Sequence, residues 1–146
     1  IGGGGPRVLT IAAREADIVG VNGTLDAGVI GPEAIATMTA EAVTSKVGVV
    51  ADAATAAGRL DHIEMNIRTF FVSVTDDRPG RLAAMASMIG VEEAMIAASP
   101  FALIGSAGEI IEDLIARREQ YGFSYVIVGA EEIEAFAPVV AELAGN

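Results

Sequence analysis

Apolar positions along the chain alternate between two spacings. Short runs rich in Ile, Val and Phe fill residues 18–21, 62–74 and 123–128, and each reads as a strand. Between them lie longer, alanine-rich stretches whose apolar residues recur every three to four positions. Pro6 suits a first helical turn, where its missing N–H would be unpaired anyway, and Val8, Leu9, Ala12, Ala13 and Ala16 carry that helix to about Asp17. Pro32 opens a second helical region, with Ile35, Met38, Ala42, Val43, Val47 and Val50 on one stripe and Gly58 as its stop. A third helix begins at Pro79 and breaks at Gly90, and a short piece over 91–98 follows. Ser106 with Glu109 three residues on is a capping box, and Gly122 closes the helix it starts. Residues 131–143 form the last helix. Ile1 and the glycines after it read as the tail of a strand, Asn22-Gly23 as a turn, and residues 24–31 as a glycine-containing loop.

Strict alternation of strand and helix predicts a parallel sheet with crossover helices. A doubly wound sheet and a (β/α) barrel both fit. A complete eightfold barrel needs about 250 residues, so these 146 supply only part of one.

Composition narrows the class. The chain is 52% hydrophobic and carries 9 basic against 20 acidic side chains, a net charge of −11. Its length suits a single domain, residues 1–146, with a sizeable core. The acidic balance argues against a nucleic-acid partner, whose phosphates need a cationic surface. No uncharged stretch reaches the roughly 20 apolar residues of a membrane span. The lack of cysteine excludes disulfides, thiolate metal sites and thiol nucleophiles, and a single histidine leaves no His-rich metal cluster. The chain opens on Ile1 with no methionine and no signal-peptide pattern, which suggests a fragment or processed chain.

The run Gly2, Gly3, Gly4, Gly5 followed by Pro6-Arg7 is the most informative local feature. Glycines let backbone approach a ligand, and a helix starting at Pro6 aims free N–H groups back at the loop, with Arg7 adding a cation. A flexible strand-to-helix turn accounts for the same residues equally well. The run is not the dinucleotide fingerprint, because Arg7 stands where its third glycine would be, and this weakens a Rossmann-type reading. Asn22, at a strand's carboxyl end, lies where α/β folds bind ligands, although Asn-Gly also simply makes a turn. Asp76 and Asp77 precede a Pro-initiated helix and read as caps rather than as a Mg²⁺ or acid/base pair. His62 reads as a solvated strand-edge residue. Ser99 and Ser106 have no base beside them, so loop and cap are preferred to nucleophile. Met38, Met65, Met85, Met88 and Met95 read as core filler, and Arg117-Arg118-Glu119 as a solvated helix end.

Read together, residues 1–22 (IGGGGPRVLTIAAREADIVGVN), 99–106 (SPFALIGS) and 121–128 (YGFSYVIV), with Ile110-Ile111-Glu112-Asp113-Leu114 between the last two, resemble the luciferase-like oxidoreductases, in particular an actinobacterial branch dependent on coenzyme F-420. Members show a strand ending in glycine, a helix containing R-x-L-x-L-A-A-x-x-A-D, and then a strand. The resemblance spans the whole chain. It implies the C-terminal half of a TIM (β/α)8 barrel, from the end of the fifth strand through the eighth strand and a terminal helix. It also implies hydride transfer between a deazaflavin, coenzyme F-420 (alternatively FMN), and a small organic substrate in the cytoplasm. The family places the glycine loop beside the cofactor's ribityl-phosphate, which makes Gly2, Gly3, Gly4 and Gly5 with Arg7 cofactor-binding and puts Asn22 at the barrel mouth. Catalytic groups are expected in the first four strands, which are absent, and no metal is implied. Half a barrel has two unpaired edges, so pairing with the missing half or homodimerisation is expected. The competing reading is a non-catalytic α/β module for small-ligand binding or oligomerisation, which predicts a self-sufficient monomer with no orphan sheet edge.

Overall fold

The computed structural model describes residues 1–24 and 32–145, so the predicted loop beyond Thr24 lies outside the described residues. In chain order the elements are β1 (Gly2–Gly3), α1 (Pro6–Glu15), β2 (Ile18–Val21), α2 (Pro32–Ala36), α3 (Ala40–Ala56), β3 (Glu64–Arg68), β4 (Phe71–Val74), α4 (Arg78–Ile89), α5 (Glu93–Ala97), β5 (Ala102–Gly105), α6 (Ala107–Tyr121), β6 (Phe123–Ile127) and α7 (Ile133–Leu143). Short 3₁₀ turns precede β3 at Leu60–His62 and α7 at Ala130–Glu132.

The main sheet runs β1-β2-β3-β6 with every pair parallel. Each new strand joins the same side, so no reversal of order creates the central crevice of a doubly wound sheet. One face of the sheet is covered by helices. Leu9, Ala12 and Ala13 of α1 and Val43, Val50 and Ala54 of α3 pack on Val19, Val21 and Ile67. The opposite face carries Ile18, Gly20, Glu64, Asn66, Arg68, Tyr125 and Ile127, and Ile18, Tyr125 and Ile127 remain 36–43% exposed. A parallel sheet added to in one direction and covered on one side is a barrel wall, and the fold is the C-terminal half of a TIM barrel. Among the described residues both sheet edges, β1 and β6, are unpaired, contrary to the self-sufficient module.

Ser124 is an extra residue in β6. Met65 faces Phe123 and Asn66 faces Tyr125, a bulge that resets the alternation. It places Val126 beside Ile67 on the helix-covered face and sets Tyr125 opposite Asn66.

Two predicted elements differ in detail, and one strand went unpredicted. The strand over 62–74 divides into β3 and β4 because Thr69 donates from both its amide and its hydroxyl to the Ile127 carbonyl at 2.9 Å, while the Phe70 amide turns to the Phe101 carbonyl at 2.9 Å. From Phe71 the chain pairs instead with β5, a strand the sequence reading missed, to form a separate two-stranded parallel sheet. The helix from Pro32 divides at residues 37–39, where the Thr39 hydroxyl caps α3 by accepting from the Ala42 amide at 3.2 Å. The capping box is present as predicted. The Ser106 amide and hydroxyl donate to the Glu109 carboxylate at 2.8 and 2.9 Å, and these bonds, the amide's first, hold that carboxyl below the usual range.

Candidate functional site

All four wall strands point the same way, so their carboxyl ends share one rim, the position at which barrel folds hold their ligands. Gly2 and Gly3 form β1, and the chain passes through Gly4 and Gly5 into α1. A Cβ on Gly3 would lie 2.5 Å from the Val8 side chain, and one on Gly4 2.5 Å from the Gly23 carbonyl oxygen. These two glycines are therefore required by the protein's own packing. Gly5 differs, since a Cβ there would meet nothing within 4 Å. It is the N-cap of α1 and supplies no side-chain bond, which leaves the Arg7 and Val8 amides without intrahelical acceptors. Arg7 itself is exposed and makes no ion pair among the described residues.

Asn22 extends the ladder past β2, its amide donating to the Gly3 carbonyl at 2.9 Å. Its side-chain nitrogen would lie 3.0 Å from a Cβ on Gly2, so the two predicted residues meet across the sheet. The Asn22 carbonyl accepts from Lys46 Nζ at 2.8 Å, and the same ammonium donates to the Thr37 carbonyl at 2.8 Å. The Thr37 hydroxyl in turn accepts from the Thr24 amide at 2.8 Å and donates to the Ala34 carbonyl at 2.7 Å. Thr24, Thr37 and Lys46 wall a cavity of about 330 Å³, lined also by Gly4, Pro6 and Ser45, and Asn22 reaches it only through its carbonyl bond to Lys46.

Lys46 is half-buried, and loss of hydration lowers its pKa from the ordinary lysine value. Two of its three N–H groups are used, leaving one donor. Sequence reasoning missed this residue. It looks like any lysine on a helix stripe, and its partners lie 24 and 9 residues away.

The remaining candidates are structural. Asp77 caps α4, accepting from the Gly80 amide at 3.0 Å, while Asp76 is exposed. His62 sits exposed in the 3₁₀ turn ahead of β3, at the opposite end of the strands from the rim. Ser106 is a cap, and Ser99 is buried with its hydroxyl on the Met38 carbonyl at 2.7 Å. Two expectations are corrected. Met88 is 79% exposed rather than core, and Arg117 is not solvated: it donates to the Pro100 and Ala102 carbonyls at 3.0 and 2.6 Å, anchoring α6 to β5. Among the described residues no cluster of His, Asp and Glu is arranged to hold a metal ion, and no helix is long and apolar enough to cross a membrane.

No protein-family model matches the chain, and no curated protein matches it in sequence. Solved structures do. The coenzyme F420-dependent tetrahydromethanopterin reductase from Methanopyrus kandleri is similar with a TM-score of 0.65 and 21% identity, over 97% of this chain and 48% of the reductase. A long-chain alkane monooxygenase is similar with a TM-score of 0.60 and 15% identity, over 97% of this chain and 40% of that one. A riboflavin lyase solved with modified FMN and riboflavin gives 0.58 and 11%, over 97% and 42%. The chain thus spans less than half the length of each. Its fold is that of one half of the barrel found in these proteins, among them members of the luciferase-like family its sequence resembles.

Proposed function

We propose that this chain is the C-terminal half of a luciferase-like oxidoreductase, with barrel strands five to eight supplied by β1, β2, β3 and β6. On this reading its rim holds the phosphate end of coenzyme F-420 or FMN. The observation that carries the proposal is the rim cavity, where the uncapped start of α1 and the Lys46 ammonium lie together. Both features favour an anion, one through oriented amides and the helix dipole, the other through a desolvated charge. The open space at Gly5 gives a phosphate room to approach the backbone. Gly2, Gly3 and Gly4 shape that approach, Asn22 holds the Lys46 ammonium in place, and Arg7 adds an exposed cation at the entrance. When bound, the reduced ring supplies a hydride to a small organic substrate. Ring binding and proton handling fall to the other half of the barrel, and the whole belongs in the cytoplasm.

Titration of the intact chain with FMN, and separately with F-420, followed by fluorescence, tests the proposal. Lys46→Met and Arg7→Ala are each expected to weaken binding about tenfold, the scale of one charge-assisted hydrogen bond. Equal affinity of both variants and the parent, or no binding by the parent, counts against the cradle. Lys46 also sets a pH signature. Folded Lys46 loses its proton before the unfolded residue does, so anion affinity falls as pH climbs through the lowered pKa. In the same window the unfolded chain holds more protons, so this group's contribution to folding stability rises. Lys46→Met should abolish both trends.

A further inference from the structure

We propose that Arg68 anchors the anionic group of a small organic ligand on the open face of the sheet, which makes the substrate an organic acid or a phosphate ester. β3 is an inner strand, flanked by β2 and β6 of this chain, so its surroundings do not depend on what pairs with the sheet edges. Arg68 is its last residue on the open face, opposite Ile127 of β6, and the only cation on that face among the described residues. The amide and hydroxyl of Thr69, both on the Ile127 carbonyl, end the strand immediately beyond it. Arg68 is thereby fixed at the carboxyl rim, where barrel folds meet their ligands. Its guanidinium carbon stands 5.6 Å from the centre of the Phe70 ring. That ring stacks on the buried Phe101 ring at 5.9 Å, and the Phe70 amide bonds the Phe101 carbonyl. An aromatic shelf thus positions the charge without using its N–H groups. Among the described residues Arg68 forms no ion pair. Glu131 and Glu132 line a small recess with it, but Glu131 turns back on Gly129, its carboxylate oxygens 2.6 and 2.8 Å from where a Cβ there would stand. Glu64, the carboxylate on the open face, lies at the other end of β3. A planar fork of donors matches a carboxylate or phosphate in two parallel bonds, and the half-exposed Ile127 beside it gives the ligand's apolar body a wall. That this ligand is the substrate rests on the cofactor reading above; the anion site itself rests on β3.

Titration of the intact chain with benzoate and with phenyl phosphate, followed by the NMR shifts of the Thr69 and Ile127 amides, tests the proposal. Both probes are expected to bind, and Arg68→Ala should weaken each at least tenfold. Arg68→Lys, which keeps the charge and loses the fork, should fall between parent and Arg68→Ala. Lys46→Met should leave benzoate affinity unchanged, because the phosphate cradle is a separate site. No benzoate binding by the parent, or equal binding by parent and Arg68→Ala, overturns the proposal. Riboflavin and FMN address the other source of a phosphate. Arg68→Ala is expected to leave the affinity for both unchanged, whereas a loss confined to FMN would assign Arg68 to the cofactor and overturn the substrate site. A parent that binds benzoate through Arg68 but does not bind FMN would remove the cofactor cradle and leave the anion site standing.

Discussion

The main sheet and the β4–β5 pair are both parallel, but they meet their surroundings in opposite ways. All four residues of β5 are buried, between α6 and α7 on one side and α4 and α5 on the other. The pair is tied down further where the Arg117 guanidinium holds the Pro100 and Ala102 carbonyls and where Ser99 bonds the Met38 carbonyl. The main sheet has helices on one face only, and its other face shows Glu64, Asn66, Arg68 and Tyr125. One region is finished within this chain and acts as a buttress. The other is a half-surface, with its polar groups at the rim and on the open face. Stability and the proposed recognition therefore fall on different residues and can be perturbed separately.

The largest expected effect lies in the buttress. Leu103 is fully buried in β5, and Leu103→Ala should cost about 3 kcal/mol in urea unfolding. The fraction that stays folded should bind FMN as tightly as the parent, and a large loss of affinity would erase the distinction between the regions. Next come the neighbouring glycines of the rim. Gly4→Ala forces a Cβ against backbone at Gly23 and Thr24 and should cost about 2 kcal/mol. Gly5→Ala meets open space, so thermal unfolding should change by no more than about 0.5 kcal/mol, while FMN affinity should fall. The tie between the regions should matter less than Leu103 or Gly4. Ser99→Ala removes one buried bond to the Met38 carbonyl and should cost about 1 kcal/mol in denaturant.

Much of this architecture was legible from local chemistry. Pro6, the Ser106–Glu109 box and Gly122 each act within one turn of the chain, and each stands where the sequence predicts. The division of the strand over 62–74 was not legible. No Gly or Pro marks it, and the groups that bend the chain at Thr69 and Phe70 are carbonyls 58 and 31 residues away. The four residues of β5 were hidden between Pro100 and a capping box, too short to show a period. At the rim, the glycine run and Asn22 were visible as types, but which glycine faces open space depends on where Val8 and Gly23 fall. Lys46 carried no local signal, because its significance comes from carbonyls contributed by other segments.

The bulge at Ser124 governs which side chains the barrel interior receives. Were Ser124 paired with Asn66 instead of bulged, Tyr125 would fall opposite Ile67 and Val126 opposite Arg68, turning Tyr125 toward the helices and Val126 toward the lumen. A shift of that kind rewrites the lining of an entire wall without altering any residue in it. Deletion of Ser124 would instead join Phe123 directly to Tyr125 and keep both faces as they are, so with Ser124 present the bulge is what holds Tyr125 on the open face.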